Sequence, residues 1–314
     1  MNLIGEKMNA IPDYQSIMLP LLKVVNDEQE HRFRDLIETL SEYFGLDDNQ
    51  RKELLPSGSK LIFDNRVGWA KTYLKKAGLI EYTKRGVLKI TARGMATLQE
   101  NIDKIDVKYL KRFEEFNEFQ SISTQDDSGV GLIENVEQTD QTPEEQFEKS
   151  YQHLRTNLAQ ELLDKARNVT PAFFERLVVE LLVKMGYGGS ISDAGKAIGK
   201  TGDEGIDGTI KEDKLGLDII YIQAKRWQAG NSVGRPEIQK FVGALAGQGA
   251  KKGIFITTSN FTKDALDYTP KNETKIVLID GIQLSQLMID YNLGVSSSQV
   301  YELKRMDNDY FEDE

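Results

Sequence analysis

The chain has no cysteine and only two histidines, His31 and His153, among its 314 residues. Without thiols it forms no disulfide, no thiolate nucleophile and no cysteine-based zinc site. Two histidines far apart in the sequence leave little scope for imidazole catalysis. Any bound metal ion must therefore be held by oxygen ligands, which favours Mg²⁺, with Mn²⁺ as the second choice.

Long apolar runs are missing as well. No stretch reaches the roughly 20 apolar residues of a membrane-spanning helix. The first ten residues include Glu6 and Lys7, where a signal peptide would have an apolar core. We therefore expect a cytoplasmic protein. A length of 314 residues with 39% hydrophobic content is typical of two globular domains.

The net charge of −10 is unevenly distributed along the chain. Residues 113–150 contain eleven acidic residues against one lysine, whereas residues 60–93 contain nine basic residues against two acidic ones. The acidic segment is polar and poor in periodicity, so we predict a linker. The alternative is a DNA mimic that occupies a basic face when DNA is absent.

The basic segment lies in a pattern of helices followed by a hairpin. Helical periodicity covers residues 27–44 and 64–77, and alternating strands flank Gly86 within residues 79–91. This order predicts a winged helix-turn-helix, or else a protein-interaction module with a solvated basic surface. In the DNA-binding reading, the second helix approaches the major groove and the wing tip meets phosphate. The predicted DNA contacts are Arg66, Lys71, Lys75 and Lys76 on the helix, and Lys84 and Arg85 on the wing.

Downstream of the acidic segment the pattern predicts an α/β domain with a central mixed sheet. An amphipathic helix begins at Pro171 and ends near Gly186. The predicted elements that follow are strands at 205–210 and 218–224, a helix at 236–246, a strand at 253–258, a helix at 263–268, a strand at 275–279 and a helix at 281–291.

Three polar side chains are expected to gather on one face of the first two strands of this sheet. Residues two apart in a strand point to the same side, so Gln223 and Lys225 project together, and the neighbouring strand supplies Asp207. Phosphodiester hydrolysis needs a divalent cation and an ammonium group that positions or deprotonates water. A carboxylate, an amide oxygen and a lysine supply those parts.

The same residues carry a family resemblance. Phe174-Glu175-Arg176-Leu177, Gly202-Asp203-Glu204-Gly205-Ile206-Asp207-Gly208 and Gln223-Ala224-Lys225-Arg226-Trp227 resemble the catalytic domain of the Mrr restriction endonucleases. Leu55-Pro56-Ser57-Gly58 and Trp69-Ala70 resemble that family's N-terminal winged-helix module. The resemblance implies the PD-(D/E)xK nuclease fold and cleavage of DNA bearing methylated bases.

Gln223 departs from the acidic residue of (D/E)xK, although it agrees with the Mrr subgroup. The site loses one negative charge, so metal affinity falls unless another carboxylate helps. Glu175 and Glu180 on the preceding helix are the candidates, and they lie roughly 140° apart around the helix axis. The family pattern favours Glu175.

A rival motif precedes the first of these strands. Ala194-Gly195-Lys196-Ala197-Ile198-Gly199-Lys200-Thr201 fits a relaxed phosphate-loop pattern, with alanine in place of the first glycine. A working phosphate loop needs a helix directly after it, and Gly202-Asp203-Glu204-Gly205 disfavours one. We therefore favour a glycine-rich connection or a DNA-backbone contact over a nucleotide site.

The sequence as a whole predicts four segments: a winged-helix domain at 1–112, an acidic linker at 113–165, a nuclease domain at 166–295 and an acidic tail at 296–314. Asp207, Gln223 and Glu175 are the predicted metal ligands, and Lys225 completes the catalytic set. The expected substrate is methylated double-stranded DNA. Cutting both strands needs two sites, so we expect a homodimer or homotetramer. The alternative is a DNA-binding protein that keeps the fold without cutting.

Overall fold

The computed structural model describes residues 10–122, 140–188, 206–213, 215–268 and 274–304. The chain separates into two compact units, the first including residues up to Gln152 and the second running from His153 to Lys304. Across the described ranges, no helix has the length and apolar character needed to cross a membrane. The phosphate-loop pattern at 194–201, Asp203, Glu204 and the end of the predicted tail lie outside these ranges.

The first unit combines helices with a three-stranded antiparallel sheet. Its helices are α1 (Tyr14–Val24), α2 (Phe33–Tyr43), α3 (Asp48–Lys52), α4 (Ile62–Lys76), α5 (Ala92–Gln99), α6 (Val107–Leu110) and α7 (Glu114–Ile122). Its strands are β1 (His31–Arg32), β2 (Ile80–Lys84) and β3 (Val87–Ile90), with β3 in the middle. Helices α1, α2 and α4 followed by the β2–β3 hairpin are in the order that the winged helix-turn-helix prediction requires.

Helix α4 is fixed by its buried face and by the turn after it. Tyr73 of α4 packs edge-on against Tyr14 of α1, with ring centroids 5.5 Å apart. The helix ends at Lys76, and Gly78 adopts a φ of +70° that a residue with a Cβ rarely takes. The helix predicted from residue 27 is shorter than expected, because His31 and Arg32 pair with β3 and α2 begins only at Phe33.

The segment predicted as a linker contains two helices among its described residues. One is α7, whose Phe116 is buried against Tyr73 with ring centroids 5.5 Å apart. The other is α8 (Pro143–Asn168), a 26-residue helix that begins in the first unit and ends in the second. The high charge of this segment hides the helical spacing of its few apolar residues. Residues 123–139 lie outside the described ranges.

The start of α8 is attached to α4 by buried polar contacts. Thr142 and Glu145 form a capping box, in which the Glu145 amide donates to Thr142 Oγ1 at 3.2 Å and the Thr142 amide donates to Glu145 Oε2 at 2.7 Å. Arg66 Nη2 donates to Glu145 Oε1 at 2.7 Å, and Arg66 Nη1 donates to the Ile11 carbonyl at 2.7 Å. Arg66 is predicted from sequence as a DNA contact. In the structure, however, its guanidinium is bonded to Glu145 and to the Ile11 carbonyl within the same unit. We therefore expect it to stabilise the unit.

The second unit has a four-stranded sheet between helices. Its further helices are α9 (Pro171–Lys184), α10 (Arg235–Gly247), α11 (Lys263–Leu266) and α12 (Gly281–Asp290). Its strands are β4 (Gly208–Lys211), β5 (Ile219–Lys225), β6 (Ser232–Val233), β7 (Lys252–Thr257), β8 (Asn260–Phe261) and β9 (Lys275–Ile279). The main sheet has the order β4-β5-β7-β9, in which β4 runs antiparallel and the other three run parallel. The predicted α/β domain with a mixed sheet is confirmed.

Alternating residues of β5 face two different cores. Ile220 and Ile222 belong to a cluster with Phe174 and Val178 of α9. On the other side, Tyr221 packs on a cluster that contains Phe241 of α10 and Phe255 of β7. Strand β5 is therefore covered on both faces, and its carboxyl end is where polar side chains can emerge.

Candidate functional site

Asp207 lies directly before β4 and opposite Gln223 of β5. The β4–β5 register pairs Gly208 with Ile222, and the Asp207 amide donates to the Ile222 carbonyl at 2.9 Å. The Asp207 carboxylate accepts a second bond from the Ala224 amide, at 2.7 Å from Oδ2. Directly opposed residues of an antiparallel pair project to the same side of the sheet. Asp207 is thus held beside Gln223 by the backbone of the neighbouring strand.

Gln223 is a buried amide with an unsatisfied oxygen. The residue is 4% exposed, and within the described part of the chain its Oε1 has no hydrogen-bond partner. A buried oxygen without a partner costs about 1–3 kcal/mol unless a ligand satisfies it. This oxygen is therefore a candidate for contact with a ligand.

Lys225 is the last residue of β5 and projects on the same side as Gln223. Burial raises the pKa of Asp207 above its ordinary value, and this effect is larger than those of the Ala224 amide and the Lys225 charge, which both lower it. The carboxylate is therefore held partly out of water without full compensation. A cation bound nearby would stabilise the charged form of such a carboxylate.

Glu175 on α9 is a carboxylate whose charge interacts with that of Asp207. Burial raises its pKa, and the negative charge of Asp207 raises it further. Glu180, by contrast, is exposed on the same helix. Glu175 and Glu180 are the two glutamates that the sequence offers as a further metal ligand. The interaction with Asp207 favours Glu175.

The donor set suits a hard divalent cation. In the described ranges, no three acidic or histidine side chains converge as a metal site. The candidate ligands are instead two carboxylates with raised pKa values and one buried amide oxygen without a partner. Oxygen donors of this kind are those that Mg²⁺ prefers, and two carboxylates that repel each other are relieved by a shared cation.

Three polar residues at the end of β7 are not among the catalytic or metal-binding residues predicted from the sequence. Thr257, Thr258 and Ser259 follow an apolar strand, yet each is buried, with exposures of 0%, 0% and 5%. Polar side chains at such depth need internal partners. A run of three hydroxyl residues after an apolar strand is the sequence signal that points to them.

The predicted DNA contacts of the first unit differ in their surroundings. Lys75 Nζ lies 4.1 Å from the ring centroid of Tyr82, and Lys71 Nζ lies 3.9 Å from that of Phe33. Lys76 lies over Phe119, and Lys84 forms an ion pair with Glu30 at 2.7 Å. Arg85 is exposed at the hairpin turn.

A groove of about 750 Å³ lies along α4. Its lining residues are Lys60, Leu61, Asp64, Asn65, Gly68, Trp69, Lys71, Thr72 and Glu144. Glu144 contacts Asn65 and accepts from Lys60 Nζ at 2.8 Å. An acidic side chain from the start of α8 therefore lies at the helix predicted to face DNA.

Two family models match the chain. One, described as a restriction endonuclease domain of the Mrr type, matches residues 166–288, and the other, the Mrr N-terminal domain, matches residues 14–100. The Type IV methyl-directed restriction enzyme EcoKMrr of Escherichia coli (strain K12) is 39% identical over 311 residues, which cover 96% of this chain and 100% of that enzyme.

Two solved structures are similar to part of the chain. The DNA modification-dependent restriction endonuclease AspBHI is 18% identical with a TM-score of 0.36, over 45% of this chain and 36% of that one. The MspJI restriction endonuclease in complex with a 27-mer oligonucleotide is 22% identical with a TM-score of 0.33, over 45% of this chain and 33% of that one. The chain thus spans about a third of the length of these solved chains.

Proposed function

Because this chain belongs to the Mrr family of restriction endonucleases, we propose that it cuts double-stranded DNA carrying methylated bases, at a centre formed by Asp207, Gln223 and Lys225. The observation that carries the proposal is the buried, unsatisfied Gln223 oxygen beside a carboxylate with a raised pKa. As a restriction endonuclease the chain is a DNA-cleaving enzyme. Its methyl-directed relative supports the choice of methylated DNA as the substrate.

Asp207, Gln223 and Glu175 are the proposed ligands of Mg²⁺. When bound, the divalent ion polarises the phosphate and lowers the pKa of water. The two carboxylates must be ionised to serve, and both have raised pKa values because of burial. The metal requirement should therefore increase as the pH falls toward those values.

Lys225 is the proposed partner of the attacking water. Its ammonium extends from the end of β5 on the same side as Gln223, beside Asp207. There Nζ orients or activates the water and stabilises the negative charge that develops on phosphate. One such centre cuts one strand. Cutting both strands requires two, so we propose a homodimer or homotetramer.

A plasmid assay tests this function. Supercoiled plasmid with and without methylated bases is incubated with the full chain, in Mg²⁺ or in excess chelator. We expect linear product only from methylated plasmid with Mg²⁺. The alternative is a protein that binds without cutting, and it predicts a gel shift on DNA that stays intact under every metal and methylation condition.

Exchange of Glu175 for glutamine should raise the Mg²⁺ concentration needed for half-maximal cleavage by roughly 10-fold or more, because one ligand charge is lost. Glu180→Gln is the matched control on the same helix, and its exposed side chain predicts no change. Titration of Mg²⁺ in the cleavage assay measures both. Equal metal requirements for the two variants would remove Glu175 from the ligand set.

Glu144→Gln should strengthen DNA binding by roughly 3- to 10-fold at low salt and less at high salt, if DNA enters the groove on α4. The change removes a negative charge beside Lys60 but keeps an acceptor at 2.8 Å from Nζ. Glu100→Gln, a partner of Arg112 elsewhere in the same unit, is the control. Fluorescence anisotropy with labelled duplex measures both, and unchanged affinity for Glu144→Gln would exclude the DNA-mimic role of this residue.

A further inference from the structure

The backbone at the catalytic lysine is held by the end of the neighbouring strand. The Lys225 carbonyl accepts from Thr257 Oγ1 at 2.8 Å and from the Thr258 amide at 3.3 Å. Strands β5 and β7 are parallel and pair Lys225 with Thr257. Both strands end here, and residues 226–228 leave the sheet as coil. Regular strand pairing therefore ends directly after the lysine.

Thr258 continues the restraint beyond the last residue of β5. Its single hydroxyl accepts from the Trp227 amide at 2.9 Å and donates to the Trp227 carbonyl at 2.7 Å. The residue is 0% exposed. One buried hydroxyl therefore satisfies both backbone groups of Trp227, two positions after Lys225. Without it, these groups would need water or another partner.

The other side of the same coil is tied to the end of α8. Arg226 Nη1 donates to the Arg167 carbonyl at 2.6 Å, and Gln228 Nε2 donates to the same oxygen at 3.1 Å. Arg167 Nε in turn donates to the Thr258 carbonyl at 3.2 Å. The carbonyl and hydroxyl of Thr258 thus belong to one closed set of bonds around residues 225–228.

The hydroxyl of Thr258 completes the backbone hydrogen bonding of Trp227, so it supports the local fold of this coil as well as its position. Removal of this buried hydroxyl would leave the amide and carbonyl of Trp227 without their partner, so the effect of a change at Thr258 falls first on the Trp227 backbone. The bonds of Thr258 converge on the coil that begins at Lys225. Reacting groups must be held to within about 0.5 Å of their productive positions, which requires such supporting bonds.

We propose that Thr258 is a positioning residue for Lys225, acting through the Trp227 backbone to fix the direction in which the lysine leaves β5. The proposal rests on the proposed function of Lys225 at the cleavage site. Thr258 touches neither substrate nor metal in this role. Its hydroxyl sets the geometry of the lysine, and Arg226 and Arg167 hold the opposite side of the same coil.

Two substitutions at this position separate the hydroxyl from the volume of the side chain. Thr258→Val keeps the shape and removes the hydroxyl, and we expect its kcat to fall roughly 10- to 100-fold, as for a misplacement of about 1 Å. DNA affinity and the Mg²⁺ requirement should stay as in the wild type. Thr258→Ser retains the hydroxyl and removes only the methyl group, so its kcat should lie within about 3-fold of wild type by the same principle.

A double variant distinguishes positioning from general loosening of the fold. Adding Thr258→Val to Lys225→Ala should not slow cleavage further, because residues that act as one unit are not additive. If Thr258→Val does not fold, Thr258→Ala takes its place. Alanine removes the hydroxyl without placing a methyl group against the Trp227 carbonyl, and we expect the same results from it.

Two results would overturn the proposal: wild-type kcat in a folded variant without the hydroxyl, or the same loss in Thr258→Ser as in Thr258→Val. Failure of the proposed function is a different result, in which Lys225→Ala itself cleaves like the wild type.

Discussion

Lys225→Ala should lower the rate of DNA cleavage by about 10³-fold or more while leaving DNA binding intact. Two contributions are lost together, the contact with the attacking water and the positive charge near the phosphate. Binding is retained because the proposed DNA contacts Lys71 and Lys75 lie in the other unit. Single-turnover cleavage of methylated plasmid measures the rate, and a gel shift measures binding.

Lys225→Arg separates the two contributions. Arginine keeps the positive charge but stays protonated at any working pH, so it cannot accept a proton from water. If charge dominates, we expect Lys225→Arg to recover a large part of the rate; if proton transfer dominates, it should resemble Lys225→Ala. The exposed lysine of α10, Lys240, provides the control, and Lys240→Ala should cleave like the wild type. A Lys225→Ala variant that cleaves at the control rate would refute the assignment.

The alternation of residues along β5 is enough to predict that Gln223 and Lys225 share a face. The turn between β4 and β5 is short, so the sequence also predicts that Asp207 lies beside them. Both inferences depend on local spacing, which a sequence displays directly. The mixed sheet follows from the order of the elements for the same reason.

Contacts between distant residues are beyond such reasoning. Arg66 reads as a basic residue on a DNA-facing helix, but Glu145, 79 positions away, accepts from its guanidinium. Thr258 bonds to Trp227 across 31 positions because β7 runs parallel to β5. Parallel strands are joined by a long crossover rather than a short turn. The sequence therefore does not show which residues of β5 and β7 lie side by side.

Composition also misleads where charge and helix formation coincide. The acidic composition predicts a linker at 113–165, yet two apolar residues of that range, Phe116 of α7 and Leu163 of α8, are buried. A helix needs only a narrow apolar stripe to pack, and the charges occupy the remaining faces. The high charge of the segment therefore says little about whether it folds.

Asp207→Asn should abolish cleavage and at the same time stabilise the metal-free protein. The ligand charge is lost, so we expect a fall in rate of about 10³-fold or more. Burial raises the pKa of Asp207 in the folded state, so its charged form destabilises the fold in the absence of metal. Asparagine removes that charge, and its side-chain oxygen can still accept the bond from the Ala224 amide.

The sign of the pH effect follows from the raised pKa. For wild type without metal, the stability contributed by protonated Asp207 is fully present below the ordinary carboxyl pKa of about 3.9 and is lost as the pH rises through the higher folded value. Asp207→Asn has no such loss. At neutral pH in chelator, it should unfold at a higher temperature, with a gain on the order of 1 kcal/mol.

Addition of Mg²⁺ should reverse the order of stabilities. Wild type gains about 1.4 kcal/mol when Mg²⁺ is present at ten times its dissociation constant, because the metal binds only the folded state. Asp207→Asn, with one ligand charge fewer, should gain much less. Thermal unfolding in chelator and in Mg²⁺, followed by circular dichroism at several pH values, measures all four states. If Asp207→Asn is less stable than wild type in chelator at neutral pH, Asp207 is a structural acid whose bonds outweigh its buried charge.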